Sequence, residues 1–445
     1  MIRQETMQEV FYSCPDLQQS VYLAPSKVRT CCQRFFVEGK QEGDVVLLDV
    51  AKGDRVTAET ILGSKLRLIG EINSGDKTAC YGCPYLQKKA WGTLDKENFQ
   101  VKHLSLEYHS VCNLKCTYCS DEYYGGETAQ YEIFELISQL KKLGYMEFCD
   151  SIVWGGGEPV LDTDFENLVN LILNDLSPNY LRFFTNSVRH NSLIQKLLNE
   201  QKIYITTSID AGSAETYKKV RGFDRLEKAY VNLSKYAEIS PERVTIKYIF
   251  TEGNTSPEEV RAFLDYVSKY SLLGVNFQIS FDFTKETVEK NDYLRIIEMF
   301  SGLQMLNVRS IFLDDLIWQR FSSKDFASIL SEPEFSELGF DKLIALREAN
   351  DKIVVWGTGS MANFLVKKSN FFSEKPPEYF VDGERLFQTE SEIDGNTGKN
   401  VYPPTKLLQD DSRIVIAAAQ QLPVILKTIK ELGINPDRIV RELVL

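Results

Sequence analysis

Apolar, strand-like runs alternate with amphipathic helical patterns through the middle of the chain, and this alternation limits the fold more than any other feature. The runs are LSLEYHSV, IVWGGG, LRFFTN, IYITTSID, VTIKYIF and VNFQIS, all within residues 99–305. The helices between them are signalled locally. Ser256, Pro257 and Glu259 form a capping-box pattern with proline at the first helical position, followed by Val260, Phe263, Leu264 and Val267 at helical spacing. A second helix is predicted from about Tyr131, with Ile133, Phe134, Leu136, Ile137 and Leu140 on one side and a stop at Gly144. Repeated β/α order predicts a parallel sheet in an α/β fold, read as a partial (β/α)6 barrel of the TIM type.

A chain of 445 residues is longer than one core usually serves, so flanking domains are expected. Residues 1–98 combine short β-type runs with five cysteines and read as a small cysteine-rich domain. Residues 306–350 read as a helical connector. Residues 351–445 begin a second α/β pattern with KIVVWG, the turn from Gly357 to Ser360 and a helix from about Met361. EYFVDGE, RIVIAAA and VILKTIKELG complete a Rossmann-like domain.

Charge and cysteine usage narrow the chemistry. Fifty-one basic residues against sixty-three acidic ones give a net charge of −12, without the clustered positive charge that a nucleic acid requires. The start MIRQETMQEVFYSC lacks a signal-peptide core, and no apolar run is long enough to span a membrane, so a cytoplasmic protein is expected. Nine cysteines in a reducing compartment point to metal ligation or catalysis rather than disulfides. With His103, His109 and His190 the only histidines, thiolate-only coordination is favoured.

Cys112, Cys116 and Cys119 follow the first of the six strand runs as CNLKCTYC. Three thiolates at this spacing can hold three corners of an iron–sulfur cubane and leave one iron open to a small-molecule chelator. The next strand ends in Trp154, Gly155, Gly156, Gly157, Glu158 and Pro159. Glycines let the backbone approach a ligand, and Glu158 supplies negative charge for an ammonium group. In a parallel barrel both loops lie on the same face.

With CxxxCxxC and GGGEP in this order, residues 100–305 resemble the radical S-adenosylmethionine superfamily. The resemblance implies a [4Fe–4S] cluster on Cys112, Cys116 and Cys119 that cleaves S-adenosylmethionine to a 5′-deoxyadenosyl radical. It implies adenine-side contact by Tyr118, binding of the methionine amino group by Gly155, Gly156, Gly157 and Glu158, ribose contact by Ser208 and Asp210, and carboxylate pairing by Arg221. It also implies an external one-electron reductant such as flavodoxin or ferredoxin.

Cys14, Cys31, Cys32, Cys80 and Cys83 resemble SPASM or twitch auxiliary-cluster domains, with the order relative to the barrel reversed. They are expected to hold a second [4Fe–4S] cluster, using one of Cys31 and Cys32, and a tetrahedral zinc site is the alternative. Cys149 reads as packing. Gly357, Gly359 and Ala362 with Asp382 match a dinucleotide-type fingerprint on a domain too short for a full nicotinamide fold. It resembles units that hold nucleotide sugars. The expected activity is therefore radical modification of a sugar or nucleotide-linked sugar, as an oxidoreductase or epimerase. Peptide modification is the alternative, and an iron–sulfur electron-transfer protein is the alternative of another class. Among Glu107, His109, Lys247, Gln278 and Asp282, no hydrogen donor can be singled out.

Overall fold

A computed structural model describes residues 10–37, 40–119, 126–314, 317, 351–359, 362, 375–383, 390–394, 398–418 and 421–444. The chain divides into two compact units. One comprises residues 1–115, 119–185 and 191–205, and the other residues 116–118, 186–190 and 206–445.

The first unit opens with β1 (Val10–Ser13), α1 (Pro15–Gln19), β2 (Ser20–Leu23), β3 (Lys27–Arg29), β4 (Arg34–Val37), β5 (Lys40–Gly43), β6 (Val46–Asp49), α2 (Ala58–Ser74) and β7 (Gln87–Ala90). It continues with β8 (His103–Leu106), α3 (Ile133–Lys142), β9 (Ser151–Trp154), α4 (Phe165–Leu171), β10 (Tyr180–Phe184) and α5 (Ser192–Asn199). Its main sheet runs β6-β3-β2-β8-β9-β10. The pairings from β2 to β10 are parallel, whereas β3 meets β2 and β6 antiparallel. The amino-terminal segment thus extends the β8–β9–β10 sheet by parallel pairing of Ser20–Leu23 with His103–Leu106. Helix α2 is fixed at both ends, by a Thr57/Thr60 capping box and by left-handed Gly75.

The chain enters the second unit within β11 (Tyr204–Ser208) and forms α6 (Ala214–Arg221), α7 (Leu226–Ala237), β12 (Val244–Phe250), α8 (Pro257–Lys269), β13 (Asn276–Phe281), α9 (Lys290–Met305) and β14 (Ser310–Leu313). Then follow β15 (Ile353–Trp356), β16 (Phe380–Val381), β17 (Glu392–Ile393), β18 (Asn400–Tyr402), β19 (Arg413–Ile416), α10 (Leu422–Glu431) and β20 (Ile439–Val444). The strand order is β11-β12-β13-β14-β20-β19-β15-β16-β18-β17. Pairing is parallel from β12 through β18, and only β17 is antiparallel. Strand β20 pairs with β14 through Val444 and Phe312, and Phe312 shares a buried core with Trp356, Ile414, Ile416 and Ile439.

The α/β class and the six predicted strands, β8 to β13, are all present, each followed by a helix in the chain. One local expectation is corrected. Ser256 caps α8 by accepting from the Glu259 amide, but the Glu259 carboxylate does not turn back to complete the box. It accepts instead from the Gly212 amide (2.7 Å) and from the Ser213 amide and hydroxyl (3.1 and 2.6 Å). Those three donors outcompete a single cap amide. Most of the predicted connector, and the helix predicted after Gly357, lie outside the described residues. Among the described residues no helix is long and apolar enough to cross a membrane.

Candidate active site

In the first unit, the loop after β9 is laced to the segment leading into Cys112. Register pairs Leu106 with Trp154, and beyond it Gly155 N donates to Leu106 O (2.9 Å), Gly157 N to His109 O (2.8 Å) and Glu158 N to Val111 O (2.8 Å). This contact explains the glycines. A Cβ on Gly157 would lie 2.2 Å from Val111 O, and one on Gly156, at φ +84°, 2.6 Å from His109 O. No side chain fits either position. Glu158 is 1% exposed and accepts from Thr185 Oγ1 at 2.7 Å, so its carboxylate is aimed by a partner that the sequence pattern did not reveal.

In the second unit, Tyr118, Asp210 and Arg221 form one buried network. Tyr118 Oη donates to Asp210 Oδ2, Arg221 Nη1 donates to Tyr118 Oη, and Arg221 Nη1 also donates to Asp210 Oδ2 at 2.9 Å. The guanidinium carbon stands 5.7 Å from the centre of the Tyr118 ring. Asp210 is left-handed at φ +57°, and its second oxygen accepts from Ile249 N (2.7 Å) while Asn254 Nδ2 donates to its carbonyl (2.9 Å). Thr117 N donates to Val220 O (2.9 Å), tying the cysteine loop to α6.

This network fixes Asp210 and Arg221 against each other. The Asp210 carboxylate accepts from Tyr118, Arg221 and Ile249 N, and Arg221 pairs with Asp210. The reason is burial: at 0% and 5% exposure, either charge alone would be costly. Burial pushes the Asp210 carboxyl up while Arg221 pulls it down. Burial likewise raises the Cys116 thiol, and Arg221 opposes the shift. Ser208 is half-buried at the end of β11.

All nine cysteines are free thiols. Cys112 is exposed, and Cys116 and Cys119 are half-buried. Among the described residues, no three His, Cys, Asp or Glu side chains are gathered as an ion's ligands. The amino-terminal thiols are nevertheless neighbours. Burial first and the Asp16 carboxylate second raise the Cys14 and Cys31 thiols, with smaller contributions from Cys31 and Cys83 on Cys14 and from Cys80 on Cys31. Their sulfurs also meet backbone amides: Cys14 accepts from Leu17 N (3.4 Å), Cys31 from Val45 and Gln33, and Cys83 from Tyr85 and Leu86. Amides aimed at sulfur favour the thiolate, the form that binds metal, while burial pushes the metal-free Cys31 and Cys80 thiols up to about 12. Cys14, Cys31 and Cys80 are buried, and Cys32 is exposed. Cys149 is buried and stands outside the group.

Gly357 follows β15 directly at φ +116°, donating from its amide to Val381 O (2.8 Å), and its Cβ position lies 2.9 Å from Ala417 O. The Thr358 hydroxyl donates to the Asp382 carboxylate beyond β16. Gly359 is exposed beside them, with open space where a Cβ would stand.

Sequence reasoning could not rank the polar strand residues, and it missed their hub. Phe277 packs against Phe263 of α8, so Gln278 and Ser280 lie on the opposite face of β13. Gln278 Nε2 (2.8 Å), Ser280 Oγ (3.0 Å) and Lys247 Nζ (3.2 Å) all donate to Asp314 Oδ2. Asp282 instead accepts from Thr251 and Thr284 (2.6 and 2.7 Å). The polar alternation Gln278, Ser280, Asp282 was the available signal. Glu107 accepts weakly from Ser105 (3.3 Å), and His109 is buried with both ring nitrogens unpartnered among the described residues.

Part of the chain is similar to known proteins. Residues 106–267 match the family described as Radical SAM superfamily. A GTP 3′,8-cyclase of Vibrio atlanticus is 23% identical over 177 residues, covering 39% of this chain and 52% of that protein. A probable GTP 3′,8-cyclase of Methanococcus maripaludis is 25% identical over 189 residues, covering 42% of this chain and 60% of the relative. The chain thus spans little more than half the length of these relatives. The solved structure of Streptococcus suis SuiB bound to S-adenosylmethionine aligns with a TM-score of 0.39 at 14% identity, covering 62% of this chain and 61% of that one. Residues 106–267 are thus similar to the radical S-adenosylmethionine superfamily, a family whose cofactors are a [4Fe–4S] cluster and S-adenosylmethionine.

Proposed function

We propose that the protein reductively cleaves S-adenosylmethionine and directs the resulting radical at a nucleotide-linked substrate. The observation that carries the first half is the three-bond lacing of Gly155, Gly157 and Glu158 to Leu106–Val111, which sets the glycine backbone against the approach to Cys112. Bound at Cys112, Cys116 and Cys119, the cluster would supply one electron, and S-adenosylmethionine would supply a 5′-deoxyadenosyl radical that takes hydrogen from the substrate. The chain's own contribution is positioning. Glu158, held by Thr185, receives the ammonium group, and the glycine amides and carbonyls take the ligand closely because no Cβ intervenes. Asp210 and Arg221 hold the Tyr118 ring in place. An external low-potential donor such as flavodoxin or ferredoxin supplies the electron.

Two observations favour a nucleotide. Gly357, Thr358 and Asp382 form a glycine turn beside a carboxylate at the ends of parallel strands, where such folds bind nucleotides. The relatives carry the name of a nucleotide cyclase. A sugar carried on a nucleotide remains the favoured substrate, with epimerisation or dehydrogenation the outcome. Peptide modification is the second reading, carried by the amino-terminal thiol group. The test is anaerobic reconstitution followed by incubation with S-adenosylmethionine, dithionite, and GTP or a panel of nucleotide sugars. The reading predicts 5′-deoxyadenosine above the substrate-free background with at least one of them. No rise with any nucleotide, but a rise with a precursor peptide, would support the second reading.

A further inference from the structure

In the second unit, the face of β12 and β13 turned away from α8 is polar, where a parallel sheet is ordinarily apolar. Phe263 of α8 packs on Tyr248 and Phe277, with ring centres 5.0 and 6.3 Å away, so alternation along each strand puts Lys247, Gln278 and Ser280 on the other face. Lys247 and Gln278 stand opposite one another in register. Ile249, two residues further along β12, donates its amide to Asp210, which links this strand to the Tyr118 network.

Hydrogen-bond supply at this cluster is uneven. Asp314 Oδ2 accepts from Gln278 Nε2 at 2.8 Å, Ser280 Oγ at 3.0 Å and Lys247 Nζ at 3.2 Å, so two neutral donors serve that oxygen at closer range than the lysine does. A buried ion pair is commonly no more stable than apolar packing of the same volume, so stability alone does not call for the lysine. The ammonium is short of acceptors. It has three N–H donors, and among the described residues Asp314 is its one acceptor. Its side chain is 20% exposed, against 7% for Asp314, so a ligand can reach the nitrogen while the carboxylate stays covered.

We propose that the Lys247 ammonium is the binding point for an oxyanion of the substrate, a phosphoryl group or a carboxylate. Asp314 fixes the nitrogen, and the two N–H groups left over donate to the oxyanion as charge-assisted hydrogen bonds. The inference goes beyond the nucleotide reading, because a carboxylate on a sugar serves as well as a phosphoryl group, and it requires no metal. A net charge of −12 repels anions in general, so an anion that does bind needs a built site such as this one.

The test uses the full chain without added iron, so that no metal answers for the anion, titrated calorimetrically with inorganic pyrophosphate and with malonate. Wild type is compared with Lys247→Gln, Lys247→Met, Lys247→Arg and, as a surface control on α8, Lys269→Gln. Lys247→Gln and Lys247→Met are expected to bind about tenfold more weakly, the loss of one charge-assisted contact. Lys247→Arg, which keeps the charge, is expected to stay within about threefold, and Lys269→Gln to bind as wild type. Tighter binding of pyrophosphate assigns a phosphoryl group to the site, and tighter binding of malonate a carboxylate. Wild type that binds neither anion overturns the proposal. So does a Lys247→Gln protein that melts lower yet binds as wild type, the result of a purely structural ion pair. Acetylation of wild type, read by peptide mass, covers the case in which the Gln and Met variants fail to fold: the bound anion should protect Lys247 and leave Lys269 reactive, and equal labelling of Lys247 with and without anion overturns the assignment.

Discussion

Asp210 and Arg221 show how burial decides what a charged residue can do. The pair shares one 2.9 Å contact at almost no exposure, so removing one partner strands the other. Asp210→Asn or Arg221→Met alone is expected to cost about 3–5 kcal/mol by urea denaturation, with the double variant recovering part of it. An additive double variant would mean the two charges do not stabilise one another. Cys149 gives a pH signature. Burial raises its thiol from 9.0 to about 12. A raised folded pKa gives stability that is complete below the unfolded value and lost as pH climbs toward the folded one. Between pH 8 and pH 10.5 the metal-free chain should therefore lose about 2 kcal/mol more than its Cys149→Ala variant, measured by urea unfolding under reducing conditions. Equal slopes would show that the thiol titrates normally.

At the scale of elements, the decisive contact is between the loop after β9 and the segment before Cys112. Gly157→Ala forces a Cβ against Val111 O, where only 2.2 Å is available. The loops must part, so the variant should fold but lose about half its iron, the half assigned to Cys112, Cys116 and Cys119. Full iron content would place the glycine outside the site. The glycine run and the cysteine spacing were legible in the sequence because backbone approach and thiolate chemistry each demand one residue type. The carboxylate partners were not. Thr185 behind Glu158, Ile249 N behind Asp210 and the Gly212 and Ser213 donors to Glu259 come from distant strands or helices, and local pattern carries no trace of them. Asp314 was hidden for the same reason: it stands one residue beyond a short strand in a stretch that reads as connector.

For the whole chain, strand alternation revealed the class and the six central strands, since period and length are local properties. Pairing at the flanks is not local. β2 pairs with β8 and β20 with β14, pairings between segments far apart in the sequence that no local pattern marks. Deleting residues 351–445 should accordingly leave β14 as an unpaired edge and uncover Phe312, giving an aggregating fragment by size-exclusion chromatography. A monodisperse fragment would mean that the carboxyl-terminal strands form an independent domain. The central claim is radical chemistry at Cys112, Cys116 and Cys119. Its most direct test is 5′-deoxyadenosine formation by reconstituted wild type and by the Cys112→Ala, Cys116→Ala, Cys119→Ala variant. The account predicts dithionite-dependent product and about eight irons in wild type, against no product and about four irons in the variant. Wild type that is fully loaded with iron yet releases no 5′-deoxyadenosine, or a variant that still does, would contradict it.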